Sequence, residues 1–153
     1  MPATDTAVRR EITVKATPER AFEVFAARLD SWWPRSYSIG PTDLAEAVIE
    51  PRAGGRWFER GTDGAECVWG EVRAYDPPRR LTLTWAIGGD WQLDANASEI
   101  DVTFEPADAG TRVTLVHSGL ERHTAADALK ASIGGEGGWG GLLAAYAQRV
   151  SEG

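Results

Sequence analysis

A single cysteine, Cys67, stands in a chain of 153 residues, so no disulfide within the chain can staple the fold. No apolar run approaches the ~18 residues that a membrane helix requires. The opening stretch MPATDTAVRREI lacks the hydrophobic run of a secretory leader, and a cytoplasmic protein is expected. Positive charge is also short. Sixteen Lys and Arg against 23 Asp and Glu leave a net charge of −7, a field that repels nucleic-acid phosphates and anionic lipid headgroups. Neither nucleic acid nor a membrane is therefore an expected partner. Histidine is scarce as well, and His117 and His123 together with Cys67 fit no zinc spacing. The residues call for no metal and no cofactor.

What the chain has in quantity is glycine, with 17 residues, and tryptophan, with seven. Tryptophan is large and is rarely buried completely. Seven in a chain of this length, which reads as one domain over residues 1–153, imply that several line an interior space or a groove as well as filling core. Residues 1–6 are small and polar and are expected to be flexible.

Periodicity lays out the elements. Ile12, Val14 and Ala16 alternate with polar residues as a half-buried strand does. Thr17-Pro18-Glu19 then supplies an N-cap, a first-turn proline and a carboxylate. They open a helix with Ala21, Phe22, Phe25, Ala26 and Leu29 on one face, ending near Asp30. Ser31-Trp32-Trp33-Pro34 reads as a short extra turn, and residues 35–43 as loop. Adjacent tryptophans cannot share one helical face, so at least one of Trp32 and Trp33 is expected to point away from the core.

Antiparallel strands follow over Leu44–Glu50, Arg56–Arg60, Glu66–Tyr75 and Leu81–Trp85, separated by turns rich in Gly, Pro and Asp. Residues 88–96 look looser. Ile100, Val102 and Phe104 form one more alternating strand, and Val113, Leu115 and His117 share a face of the last. Thr124 to Ser132 predicts a short helix. Gly135 to about Ser151 predicts a long one, with Trp139, Leu142, Leu143, Tyr146, Ala147 and Val150 in a single stripe. The fold class is α+β, a helix-grip arrangement. A curved antiparallel sheet of six to seven strands wraps around the C-terminal helix, with two short helices after strand one. Such a sheet with a helix across it leaves a tapered interior.

The runs VKATPERAFEVF, SWWP, EPRAGGRWFE, WGEVRAYDPPRRLTLTW, EIDVTFEPADAGTRVTLVHSGL and GGWGGLLAAYAQ, from about Arg10 to Val150, resemble the START-like (SRPBCC, birch-pollen-allergen-like) superfamily. Within it they are similar to the bacterial branch related to the C-terminal domain of the activator of heat-shock-protein ATPase. The resemblance implies a helix-grip fold with a hydrophobic cavity. It implies no shared catalytic residue.

The inward face of each element nominates the lining of that cavity: Phe25, Trp33 or its neighbour Trp32, Trp57 or Phe58, Trp69, Trp85, Trp91, His117, Trp139, Leu143 and Tyr146. A buried indole N–H seeks a polar partner, and a ligand oxygen or a trapped water would serve. Gly135, Gly137 and Gly140 match the dinucleotide fingerprint in spacing only, because no strand precedes them and no acidic residue follows about 20 positions on. Three functions follow. The first is binding of a small apolar or aromatic molecule without catalysis, with His117, Glu71 or Tyr146 orienting a polar group. The second is a cyclase or hydratase in the same cavity with His117 or Glu71 as general base. The third is an interaction module without a ligand, a homodimer or the partner of a chaperone or regulator, that exposes Trp32, Trp33 and Trp91.

Overall fold

Alternation alone orients the first strand, β1 (Val8–Val14), which buries Val8 and Val14 and exposes Arg9, Glu11 and Thr13. A computed structural model of the chain describes residues 8–33, 43–87, 93–120, 133 and 139–152. Helix α1 (Pro18–Ala26) starts as its residues predict. The Thr17 side chain accepts a hydrogen bond from the Arg20 amide at 3.2 Å, and Glu19 sits in the first turn. Its inward side carries Phe22 and Phe25. A single 3-10 turn, Leu29–Ser31, takes the place of a second helix.

The chain then enters β2 (Leu44–Ile49), followed by β3 (Arg56–Gly61), β4 (Glu66–Asp76), β5 (Arg80–Ile87), β6 (Leu93–Ala107) and β7 (Gly110–Ser118). The sheet is antiparallel throughout, in the order β1-β7-β6-β5-β4-β3-β2. Strand β1 thus lies at one edge and β2 at the other, and α1 with the 3-10 turn carries the chain between them. At the β2 edge the Ala47 amide donates to Asp30 Oδ1 at 3.0 Å. A side chain of the 3-10 turn so covers a donor that an edge strand would otherwise leave open.

Register shifts interrupt the β2–β3, β3–β4, β4–β5 and β5–β6 ladders, whereas β1–β7 and β6–β7 run unbroken. Bulges bend strands and increase their twist, and all four of these shifts lie between β2 and β6. Strand β6 starts earlier than alternation suggests, because Ile87 pairs with Leu93 and carries the hairpin past Asn96.

Helix α2 (Trp139–Glu152) packs against the inside of the sheet, burying Trp139, Leu142, Leu143, Tyr146 and Val150. The expected helix start at Gly135, the helix over Thr124 to Ser132, Trp91 and His123 lie outside the described residues. None of the described helices is long and apolar enough to cross a membrane. The antiparallel order brings the starts of β1, β2, β4 and β6 and the ends of β3, β5 and β7 to one end of the sheet. Trp139, the first residue of α2, packs at that end against Trp85 and His117.

The outer face of β2, β3 and β4 is a charged lattice. Phe58 is buried beneath the guanidinium groups of Arg56, 4.3 Å from its ring centroid, and Arg60, at 5.7 Å. These cations pair with Glu50, Glu46 and Glu66. Hydrogen bonds from Arg56 hold Glu50 below its ordinary value of 4.5, and those from Arg60 and Arg56 do the same for Glu66. A carboxylate with a depressed folded-state value adds stability above its unfolded value and loses it as the pH falls through the folded one. The melting temperature is therefore expected to fall as the pH drops below about 4.5. That fall should be shallower in a Glu50→Gln/Glu66→Gln variant, and an equal slope in both proteins would remove these two pairs as its cause.

Candidate functional site

Strand alternation and one bulge decide which aromatic groups face inward. On β3, Trp57 points into the interior and Phe58 to the charged outer face, with the register shift of the β3–β4 ladder lying between them. On β4, Trp69 is buried while Val68 is 39% exposed on the opposite side. Trp85 on β5 and His117 on β7 complete the contribution of the sheet.

Facing them are Trp33, just after the 3-10 turn, and Trp139 of α2. The six rings form a ladder with two rails. Trp57 and Trp85, 5.7 Å apart between ring centroids, make the sheet rail. Trp33 and Trp139, 6.5 Å apart, make the helical rail. Rungs join Trp33 to Trp57 at 6.2 Å and Trp139 to Trp85 at 6.0 Å, both edge to face. Trp69 closes one end, at 5.1 Å from Trp57 and 5.0 Å from Trp33. His117 closes the other, at 5.4 Å from Trp85 and 6.1 Å from Trp139.

Trp32 and Trp33 are both buried, which corrects the expectation that one of the pair faces outward and removes both from an exposed aromatic patch. The helical-face argument fails because neither lies in an α-helix. Trp32 follows the 3-10 turn with φ −126° and ψ −8°, and the bend there sends the two rings to different inner neighbours. Trp32 meets Phe25 and Tyr146, and Trp33 meets the ladder. Phe25 and Tyr146 thus belong to an adjoining aromatic cluster with Phe104. Leu143 is buried on α2 between Trp139 and Tyr146 in sequence.

The polar groups inside the ladder are specific. His117 is 0% exposed; its Nδ1 faces Trp139 Nε1 at 3.1 Å and its Nε2 faces Ser98 Oγ at 2.7 Å. Ser98 Oγ also lies 3.3 Å from the Trp85 carbonyl. Glu59, 0% exposed on β3, accepts from Trp69 Nε1 at 2.9 Å. Trp57 Nε1 donates to the Thr84 carbonyl at 2.6 Å, and Thr84 Oγ1 accepts from the Glu71 amide at 2.8 Å. Trp32 Nε1 donates to the Val24 carbonyl at 3.0 Å. Four indole N–H groups are therefore held by protein acceptors, and none of these four requires a ligand oxygen.

Of the three polar groups expected in the cavity, His117 lies in the ladder and Glu71 and Tyr146 do not. Glu71 is on the outer face beside Arg73, at 3.4 Å. Tyr146 donates its hydroxyl to the Ala21 carbonyl of α1 at 2.7 Å, and burial pushes its phenol far above the usual value, so it stays protonated. Thr84 lends Trp57 only its backbone carbonyl, and the polar side chains that do face the ladder, Ser98 and Glu59, are not nominated by sequence. Their signal was alternation carried two positions further: Ser98 shares a face with Ile100, and Glu59 with Trp57.

Residues 15–150 match the family of activator of Hsp90 ATPase homolog 1-like proteins. No curated protein matches the chain. Among solved structures, Txn09, an anthrahydroquino-γ-pyrone synthase solved as a complex, is 42% identical. That match covers 97% of this chain and 99% of Txn09, with a TM-score of 0.65. The self-sacrificing resistance protein CalC from Micromonospora echinospora is 30% identical over 97% of this chain and 96% of its own, with a TM-score of 0.72. The Aha1 dimer from Colwellia psychrerythraea, 18% identical over 94% and 95% of the two chains with a TM-score of 0.66, shares the fold. The chain belongs to the activator of Hsp90 ATPase homolog 1-like family, within the START-like fold.

Proposed function

We propose that this protein binds a planar, oxygen-bearing polycyclic aromatic molecule between α2 and the sheet. The observation that carries the reading is the ladder itself, six contiguous rings with a polar histidine-serine pair at one end. Large flat π surfaces recognise flat aromatic ligands, and a few placed polar groups fix orientation. The 42% identity to a synthase whose name specifies an anthrahydroquinone and a pyrone supports the same ligand class. A ring stacked between two indole faces needs about 7 Å, twice the contact distance of carbon atoms. Rungs of 6.0 and 6.2 Å therefore widen on binding, and Trp33 and Trp139 move away from the sheet.

Titration with alizarin (1,2-dihydroxyanthraquinone), anthracene, palmitate and cholesterol tests this by tryptophan fluorescence and thermal melting. Alizarin at about 100 times its dissociation constant is expected to stabilise the fold by about 2.7 kcal/mol. For a chain of this size that is a rise of roughly 5–10 °C in melting temperature. Trp85→Ala or Trp139→Ala, if folded, should abolish the shift. Failure of the folded protein to bind any aromatic probe would sink the proposal.

A further inference from the structure

The hydrogen bonds around His117 fix which of its nitrogens is basic. An indole N–H only donates, so the 3.1 Å contact from Trp139 Nε1 makes His117 Nδ1 an acceptor. The hydrogen of the neutral ring is then on Nε2, which donates to Ser98 Oγ at 2.7 Å, and the Ser98 hydroxyl passes its own hydrogen to the Trp85 carbonyl at 3.3 Å. The chain runs one way, from α2 through β7 and β6 to β5. Its last two links lie wholly on the sheet, and only the first crosses to the helical rail. When the rails part, Trp139 withdraws from Nδ1 while Ser98 still holds Nε2–H in place.

We propose that His117 is the proton acceptor of this site, that Trp139 caps its Nδ1 in the ligand-free protein, and that an acidic phenol or enol replaces the cap. This rests on the aromatic-binding reading above and adds a chemical step to it. The O–H bond of the ligand breaks, its electron pair stays on oxygen, and the proton moves to Nδ1. His117 becomes an imidazolium whose Nε2–H remains bonded to Ser98, facing a phenolate or enolate. That anion is the nucleophile that ring closure through oxygen requires. Tyr146 cannot take the role, since its hydroxyl is a donor to Ala21, and Glu71 is on the outer face. Glu59 is at the far end of the ladder, bonded to Trp69.

Alizarin reports the step directly, because its phenol and phenolate differ in colour. Bound to the wild-type protein it is expected to change colour at a pH about 1 to 3 units below the free dye, the effect of an adjacent cation on an acid. Bound to a His117→Gln variant it should change at or above the pH of the free dye. Trp139→Phe, which removes the cap and keeps the base, should retain the lowered midpoint. In ¹⁵N-histidine-labelled wild-type protein, Nδ1 of His117 should be unprotonated alone and protonated once alizarin is bound. Absence of fluorescence quenching would overturn the binding reading and this one with it. Quenching with an unshifted dye midpoint, or with Nδ1 still unprotonated, would overturn this inference alone. The labelled wild-type measurement decides the matter should His117→Gln fail to fold.

Discussion

Replacing Gly70 by alanine is expected to lower the melting temperature by roughly 10 °C, at about 2–4 °C per kcal/mol for a chain of this size. A Cβ at Gly70 falls on the Thr84 carbonyl oxygen, well inside contact distance, and stands 2.6 Å from Trp57 Nε1 and 2.7 Å from the Thr84 carbonyl carbon. Two of these three atoms are backbone of β5, so no side-chain rotation relieves the clash. The strands must separate. Overpacking of this kind costs about 1–3 kcal/mol, and the buried Trp57–Thr84 hydrogen bond lost with it adds about 1–3 kcal/mol. Gly64 is the control, because its φ of +86° makes alanine strained while nothing lies within 4 Å of the added carbon. Calorimetry of Gly70→Ala, Gly64→Ala and the wild type separates the two causes. A Gly70→Ala loss no larger than that of Gly64→Ala would refute the close-approach argument.

The position of Gly70 also shows why local pattern reached the fold but not the site. Residues such as Leu81 and Leu83, or Ile100, Val102 and Phe104, alternate in a sequence that has few other ways to bury them, and each is on the inner face. The N-cap at Thr17 and the stripe of α2 were equally legible, being contacts among near neighbours. Gly70, by contrast, is required because an indole 13 residues earlier reaches across β4 to a carbonyl 14 residues later. Nothing within one strand records such a crossing.

The tandem tryptophans make the same point about geometry. Helical periodicity places Trp32 and Trp33 on different faces, whereas the 3-10 turn before them has a different period and both enter the core. Trp57 and Phe58 follow regular alternation on β3, and the extra residue of the β3–β4 bulge is Trp69 on β4, which alternation cannot reveal. Ser98 and Glu59 carry no signal of their own, because a polar residue on an apolar face reads as an interruption whose meaning depends on a partner from another strand. His117 was identified as a candidate from its place in the β7 alternation. Its tautomer became legible only with Trp139 and Ser98 beside it.

Glu59 and Trp69 carry the second large effect, which appears as a coupling rather than a single loss. Trp69→Phe keeps most of the ring and removes the N–H from a fully buried carboxylate, at an expected cost of about 1.5–3 kcal/mol. Glu59→Leu leaves the indole N–H facing an apolar side chain, with a penalty of about 1–3 kcal/mol for the orphaned donor. Removing both together leaves neither group stranded, since a polar pair replaced by apolar groups of similar shape is often nearly neutral. Other contacts of Glu59 are lost equally in both Glu59→Leu proteins and cancel in the cycle. Denaturant unfolding of the two single variants and the double should therefore show a favourable coupling of about 1–3 kcal/mol. Strict additivity would mean that the 2.9 Å contact contributes nothing to stability. Glu59→Gln, which keeps an oxygen for the indole, should cost less than Glu59→Leu. The pair matters beyond stability because Trp69 closes one end of the ladder, within about 5 Å of both Trp33 and Trp57. Alizarin affinity measured across the same cycle connects the two roles. An end ring that shifts when its N–H is released should weaken binding in each single variant by more than it does in the double.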